Sequence, residues 1–342
     1  MPNASSSVMQ RFKVCQVCGS VNGSVNVVQR SYGVDLCNAC KQLYRRYRQN
    51  EQLIVPIVCK QNKKVPLKKC RECRYMKCLF AIPDERNRFL TDQFAFLLKE
   101  LEAKNGMRSH LFLNKAPEGG IIAENVISRK NVKFCSKIME ERTAHDWANH
   151  QMLTTMEYMK TFPLVHQLSE EDAITFIRKK YFDCGIFFMA MYSFINGNDI
   201  MLFPGGKDVF PEESVEVQKN NPALFNKIRS RLISSFIELK ITEHELLILS
   251  VLICSDPYGK TADGKEISLD GRAHVESYRE LHRQALYASC MLSHQKKEGR
   301  KRYLQLLGII NIVTYTMGDL AKTFTLFDME KVRMEKLIKD FF

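Results

Sequence analysis

Acidic residues are scarce at one end of this chain. The first 90 of its 342 residues hold five Asp and Glu against 17 Lys and Arg, a net charge of +12. The other 252 hold 33 acids against 34 bases, a net charge of +1. A shortage confined to one segment excludes a single, uniformly basic domain. Long apolar runs are missing too. The longest, Ile186 to Ile195, is interrupted by Tyr192 and Ser193, short of the roughly 18 residues that span a bilayer. Met1 to Gln10 is polar and lacks the apolar stretch of a secretory leader, so a reducing compartment and no membrane partner are expected. The sequons Asn3-Ala4-Ser5 and Asn22-Gly23-Ser24 then read as chance. Catalytic signatures are absent as well: no phosphate-binding loop, no dinucleotide fingerprint, no His-Glu-x-x-His and no Gly-x-Ser-x-Gly. His145 and His150, five apart, do not share a helix face. The chain is not expected to be an enzyme.

Cysteine is concentrated where acid is scarce: eight of twelve lie before residue 80. In a reducing compartment, clustered cysteines read as metal ligands before disulfides. Cys15-Gln16-Val17-Cys18 and Cys37-Asn38-Ala39-Cys40 are two Cys-x-x-Cys pairs. Each such turn offers two thiolates to one side of a metal, and two turns complete the tetrahedron zinc prefers. A second set, Cys59, Cys70 and Cys73, supplies three further ligands. Its fourth is not evident; Cys78 could complete it, or the second site could be weak or empty.

The second Cys pair runs into Lys41-Gln42-Leu43-Tyr44-Arg45-Arg46-Tyr47-Arg48, which has no Gly or Pro and reads as a helix. Leu43, Tyr44 and Tyr47 fall on one side, Lys41, Arg45 and Arg48 on another. A zinc-anchored helix with an apolar back and a cationic front suits a DNA major groove.

These residues resemble the DNA-binding domain of nuclear hormone receptors. Tyr32 to Arg46 is similar to the family's stretch around its second Cys pair, and Cys70-Arg71-Glu72-Cys73-Arg74-Tyr75-Met76-Lys77-Cys78-Leu79 is nearly residue-for-residue its second-finger stretch. The variant form most resembles the divergent nematode receptors related to hepatocyte nuclear factor four. The resemblance implies that Cys15, Cys18, Cys37 and Cys40 hold the first zinc. It places Asn38, Lys41, Arg45 and Arg46 at base- and phosphate-contacting positions, and Cys78 as a packed, non-ligating cysteine. There are departures. The second finger is one ligand short, which bears on dimer contacts there. Asn38 replaces a frequent acid, and Asn can pair with adenine. Phe80-Ala81-Ile82-Pro83 replaces the usual Gly-Met step.

Beyond Pro83, Arg88 to Lys104 reads as a helix ended by Asn105-Gly106, and Pro117-Glu118-Gly119-Gly120 as a loop. Thereafter helical patterns dominate: Met152, Met156 and Met159 at helical spacing, a helix over 172–195 that is apolar almost all round after Tyr181, and stretches at about 222–238, 242–254, 270–294 and 298–325. A small hairpin or irregular strand is expected near Ile200 to Phe203, and Thr242 with Glu245 forms a capping box. Glu157 to Pro163 followed by Leu168 to Arg178 resembles the receptors' ligand-binding-domain signature. The final Leu337-Ile338-Lys339-Asp340-Phe341-Phe342 resembles their activation helix. The resemblance pairs Asp340 with Lys160 as a clamp on a short coregulator helix. Asp340 meets its positive end and Lys160 its negative end, with Leu337, Ile338, Phe341 and Phe342 closing or lining the groove. Trp147, Met152, Met156, Phe187, Phe188 and Met191 are candidates to line a pocket for an apolar ligand, or simply to fill the core.

The expected architecture is a small zinc-binding α module of two Cys-rich fingers (11–82), a hinge with one helix (83–129), and an all-α helical-sandwich domain of ligand-binding type (130–342). The resemblance implies a nuclear, sequence-specific transcription factor acting on RNA polymerase II genes. Its partners would be zinc, double-stranded DNA, coregulator proteins, a possible apolar ligand, and a possible homo- or heterodimer partner. The alternative is a receptor-like interaction protein that binds DNA weakly or not at all through its incomplete second finger.

Overall fold

The computed structural model describes residues 13–21, 27–49, 71–117, 132–135, 142–261, 263–294 and 296–332. The chain divides into two units, Met1–Gln93 and Phe94–Phe342.

In the first unit, strand β1 (Val28–Ser31) pairs antiparallel with β2 (Val34–Cys37). Their two-residue loop, Tyr32-Gly33, has φ of 56° and 79°, the left-handed pair whose twist matches a tight hairpin. Alternation along the strands turns Val28, Val34 and Leu36 into a small core. Strand β2 leads directly into α1 (Asn38–Gln49), so the basic helix begins a turn before the stretch its charge marks out. Helix α2 (Arg71–Ala81) packs on α1. The Tyr47 and Tyr75 rings stack at 4.5 Å and 20°, Arg74 Nη2 donates to Ala39 O at 3.2 Å, and Tyr44 and Cys78 are buried beneath.

The second unit is a layered helical body. Helix α3 (Pro83–Asn114) contributes its residues from Phe94 onward. The expected stop at Asn105-Gly106 does not occur, although a helical glycine costs about 1 kcal/mol relative to Ala. The following turns offset it: Arg108 lies 4.0 Å over the Phe188 ring, and Phe112 is buried. Next come α4 (Ala144–Lys160), α5 (Glu170–Ile195), α6 (Val215–Asn220), α7 (Pro222–Leu239), α8 (Glu243–Cys254), α9 (Leu269–Ser293) and α10 (Lys296–Met329). Two short antiparallel pairs join them. Strand β3 (Ala116–Pro117) pairs with β4 (Phe134–Cys135), and β5 (Leu202–Phe203) with β6 (Lys207–Asp208), the latter where a hairpin was expected.

Helices α5 and α8 form the centre. Phe176, Phe187, Phe188 and Leu246 to Cys254 are buried, as expected where α8 and the second half of α5 are apolar almost all round. Cys184 of α5 and Cys254 of α8 lie side by side in this core, their Cα atoms 5.8 Å apart. Capping boxes start α4 at Thr143 with Asp146 and α8 at Thr242 with Glu245, the second as expected. Asp172, in the signature-like stretch, accepts from Ser268 N at 2.7 Å and Ser268 Oγ at 2.6 Å, tying the start of α9 to the start of α5. By length and composition alone, Lys297–Met329 is long and apolar enough to cross a membrane. No contiguous run announced this, because Gly, Thr and Tyr punctuate the helix. In the fold, Leu306, Ile309, Val313, Leu320 and Phe327 of α10 are buried in the core.

Candidate functional site

Cys15 and Cys18 lie on a turn closed by Cys15 N to Ser20 O and Gly19 N to Cys15 O, both 2.8 Å. Gly19, at φ 72°, supplies the left-handed step. Cys37 ends β2 and Cys40 lies in the first turn of α1. All four sulfurs fall within 4.8 Å of one another, with Cys18 and Cys37 Sγ 3.7 Å apart. A tetrahedron with zinc–sulfur arms of about 2.3 Å has edges of about 3.8 Å, so the cluster fits and is able to bind zinc. Burial pushes the Cys37 thiol up to about 12. Burial also raises Cys18, but hydrogen bonds, chiefly with Ser20, bring it down to about 6. Four thiolates this close need a cation between them. Cys78 is not one of the four; it is fully buried, its Sγ 3.9 Å from Cys40 O. Of the second set, Cys59 and Cys70 lie outside the described residues, and Cys73 falls on α2.

The zinc cluster fixes the start of α1. Asn38, Arg45 and Arg46 are exposed on that helix and Lys41 is half-buried. Asn38, Lys41 and Arg45 are spaced i, i+3, i+7, so one face carries them. The opposite side is held down by Cys40 and Tyr44.

Lys160 is the last residue of α4. Its Nζ lies 2.6 Å from Glu157 Oε1, both side chains largely buried. Glu157 also accepts from Val132 N at 3.3 Å. Leu337, Ile338, Asp340, Phe341 and Phe342 lie outside the described residues.

A cavity of about 60 Å³ opens in the second unit. Helix α4 contributes Ala144, His145, Ala148, Gln151 and Met152; α5 contributes Phe182, Ile186 and Met189. The segment around β5 and β6 adds Met201, Phe203 and Phe210, and α10 adds Leu320, Phe324 and Phe327. Of the residues anticipated from sequence, Met152 lines it. Trp147, Met156, Phe187, Phe188 and Met191 do not. Met156, Phe187 and Phe188 are fully buried in the packed core and Met191 nearly so. Trp147 stacks on Phe203 and takes the Arg142 guanidinium at 4.4 Å. Phe187, Phe188 and Met191 point to other sides of α5 than Phe182, Ile186 and Met189, while Trp147 and Met156 neighbour the lining face of α4 without forming part of the wall. Sequence reasoning missed Gln151.

A four-thiol finger ahead of a helical domain with an internal apolar cavity defines a zinc-finger protein joined to a ligand-binding-type domain. Residues 13–82 match the double treble clef zinc finger of C4 type, and residues 129–329 match the ligand-binding domain of nuclear hormone receptor. The chain belongs to the nuclear hormone receptor family. Nuclear hormone receptor family member nhr-27 of Caenorhabditis elegans is 30% identical over 319 residues, covering 92% of this chain and 87% of the relative. From the same organism, family member nhr-167 is 28% identical over 349 residues, covering 95% and 96%. Family member nhr-52 is 24% identical over 344 residues, covering 95% and 98%.

Proposed function

We propose that this receptor is a non-catalytic, sequence-specific transcription factor of RNA polymerase II genes, acting in the nucleus. Residues 11–82 form its DNA-binding module, 83–129 a hinge, and 130–342 a domain responsive to a small apolar ligand and to coregulators. The observation that carries this is the exposed basic face of α1 held by the four-thiol cluster. The N-terminal turn of α1 enters the major groove, with Asn38 at base edges and Lys41, Arg45 and Arg46 on bases and phosphate. The net charge of +12 over the first 90 residues concentrates the chain on duplex DNA. In the larger domain, Lys160 and Asp340 clamp the ends of a short coregulator helix, against Leu337, Ile338, Phe341 and Phe342. Cys59, Cys70 and Cys73 hold a second zinc, and the chain pairs with itself or with another receptor.

The test is site selection on random duplex DNA with the zinc-loaded full chain, alongside zinc stoichiometry. A defined half-site, with retention that falls steeply as salt rises, supports the proposal. Failure to retain any duplex at low salt refutes it.

A further inference from the structure

Two Lys–Glu pairs of the second unit have the same spacing along a helix and opposite settings. Lys219–Glu216 on α6 closes at 2.7 Å with side chains 64% and 79% exposed, an ordinary solvated pair. Lys160–Glu157 on α4 closes at 2.6 Å with side chains only 8% and 12% exposed. Water screens the first pair and hardly reaches the second, so the second attraction is the stronger. Glu157 is held from another side as well: Oε1 accepts from Val132 N at 3.3 Å, which ties it to the chain just ahead of β4. Lys160, for its part, is not needed to cap its own helix. Thr161 N–H and Oγ1 both donate to Tyr158 O, and Phe162 N to Met159 O, so those terminal carbonyls are already served.

A coregulator helix would meet Lys160 with its carbonyl end, which carries about half a negative charge. Glu157 offers a full negative charge, already in contact. The pair's net charge is zero, and the lysine presents little surface to an incoming partner. The ammonium has three protons to give, so it can serve the carbonyls of a docked helix once the carboxylate is neutralised or swung aside. Until then the carboxylate also stands close to the helix's negative end and repels it.

We infer that Glu157 is a restraint built into the coregulator clamp: it covers and neutralises Lys160, and a coregulator helix binds at full strength only when that carboxylate is released. The inference rests on the reading of Lys160 as one end of the clamp. It turns a static charge into a gated one. The lysine end of the groove is closed in this structure, and its opening requires a side chain of the same helix to give up its partner.

A charge series on the zinc-loaded full chain tests this. The probe is a fluorescein-labelled, C-terminally amidated peptide with leucines at i, i+3, i+4 and i+7 in an alanine–glutamine host, read by anisotropy. Glu157→Gln keeps the size of the side chain and its acceptor for Val132 N, and removes the charge. It is expected to bind the peptide about ten-fold tighter than the parent. Lys160→Ala, which leaves the carboxylate without its cation, should bind about ten-fold weaker. The double variant, neutral like the parent pair, should return to within about two-fold of the parent. Unchanged or weaker binding by Glu157→Gln, with Lys160→Ala still weakened, overturns the restraint alone. So does a gain in Glu157→Gln that persists in the double variant, because it then does not pass through Lys160. Parent-like binding by Lys160→Ala, or no peptide binding by any variant, overturns the clamp reading with it. Should Glu157→Gln fail to fold, judged by urea unfolding, Glu157→Ala carries the same expectation.

Discussion

Arg302 of α10 grips Glu245 of α8 through two hydrogen bonds, Nη2 to Oε2 at 2.6 Å and Nε to Oε1 at 2.9 Å. Both side chains are largely buried, and Arg302 also donates to Leu239 O at the end of α7. One guanidinium thus joins three helices. Arg302→Met leaves a buried carboxylate without its partner and is expected to cost about 3 kcal/mol in the second domain's unfolding. The deficit should depend on pH. Burial raises the Glu245 carboxyl, but hydrogen bonds from Arg302 and Thr242 hold it below the usual carboxylate range. A group depressed in the folded state stabilises above its unfolded value, about 4.3 for Glu, and loses that contribution as pH falls further. Urea unfolding near pH 7 should show a large gap between variant and parent, and unfolding below pH 4 a smaller one. An equal gap at both would refute the pairing as its source.

Removing zinc should act on the first module alone. Cys15, Cys18, Cys37 and Cys40 hold together a hairpin and a helix whose own core is small, and binding energy at such a site is folding energy. Cys37→Ser is expected to lower zinc content by one ion per chain, read by native mass spectrometry, and to abolish DNA retention. The thermal transition of the helical domain should stay in place.

On α1, contacts of two kinds should separate experimentally. Lys41→Ala and Arg46→Ala are expected to weaken binding similarly on all sequences, each lowering the salt-dependence slope by about 1. Asn38→Ala should leave the slope unchanged and relax base preference at one position, by about 1–3 kcal/mol of discrimination. If Arg46→Ala binds as the parent does at every salt concentration, the DNA face lies elsewhere.

Lys160 stands at the C-terminal end of α4 beside Glu157. Lys160→Ala and Asp340→Ala should each lower affinity for a short amphipathic helical peptide by about ten-fold, since each removes one charged cap. Fluorescence anisotropy with the full chain checks this. Unchanged affinity in both variants would leave the C-terminal stripe a packing segment.

Features written locally could be read from the chain, and features assembled from afar could not. Cys15-x-x-Cys18 and Cys37-x-x-Cys40 announce a metal cluster because each pair closes half the site within one turn. Thr242 and Glu245 announce a cap because both partners lie in the same four residues. Arg108, by contrast, carries α3 past Gly106 by lying on Phe188, a residue 80 positions away. The cavity was the hardest feature to foresee. Periodicity sorts α4 and α5 into buried and exposed sides, but not into the side that faces a neighbour and the side that faces a gap. The gap is bounded by Met201, Phe203 and Phe210 from short irregular segments and by the far end of α10, and none of these shares a repeat with α4.

Gly185 gives that last point a wider meaning. Its missing side chain seats Met152 at the wall of the cavity, and its carbonyl holds the amide of Gln151. One added methyl there would displace a thioether while leaving the backbone acceptor in place. The cavity's size therefore turns on a single residue of the second unit, which contributes nothing to the four-thiol cluster of the first. A substitution there reshapes the interior of the helical unit and leaves every residue of the finger as it was.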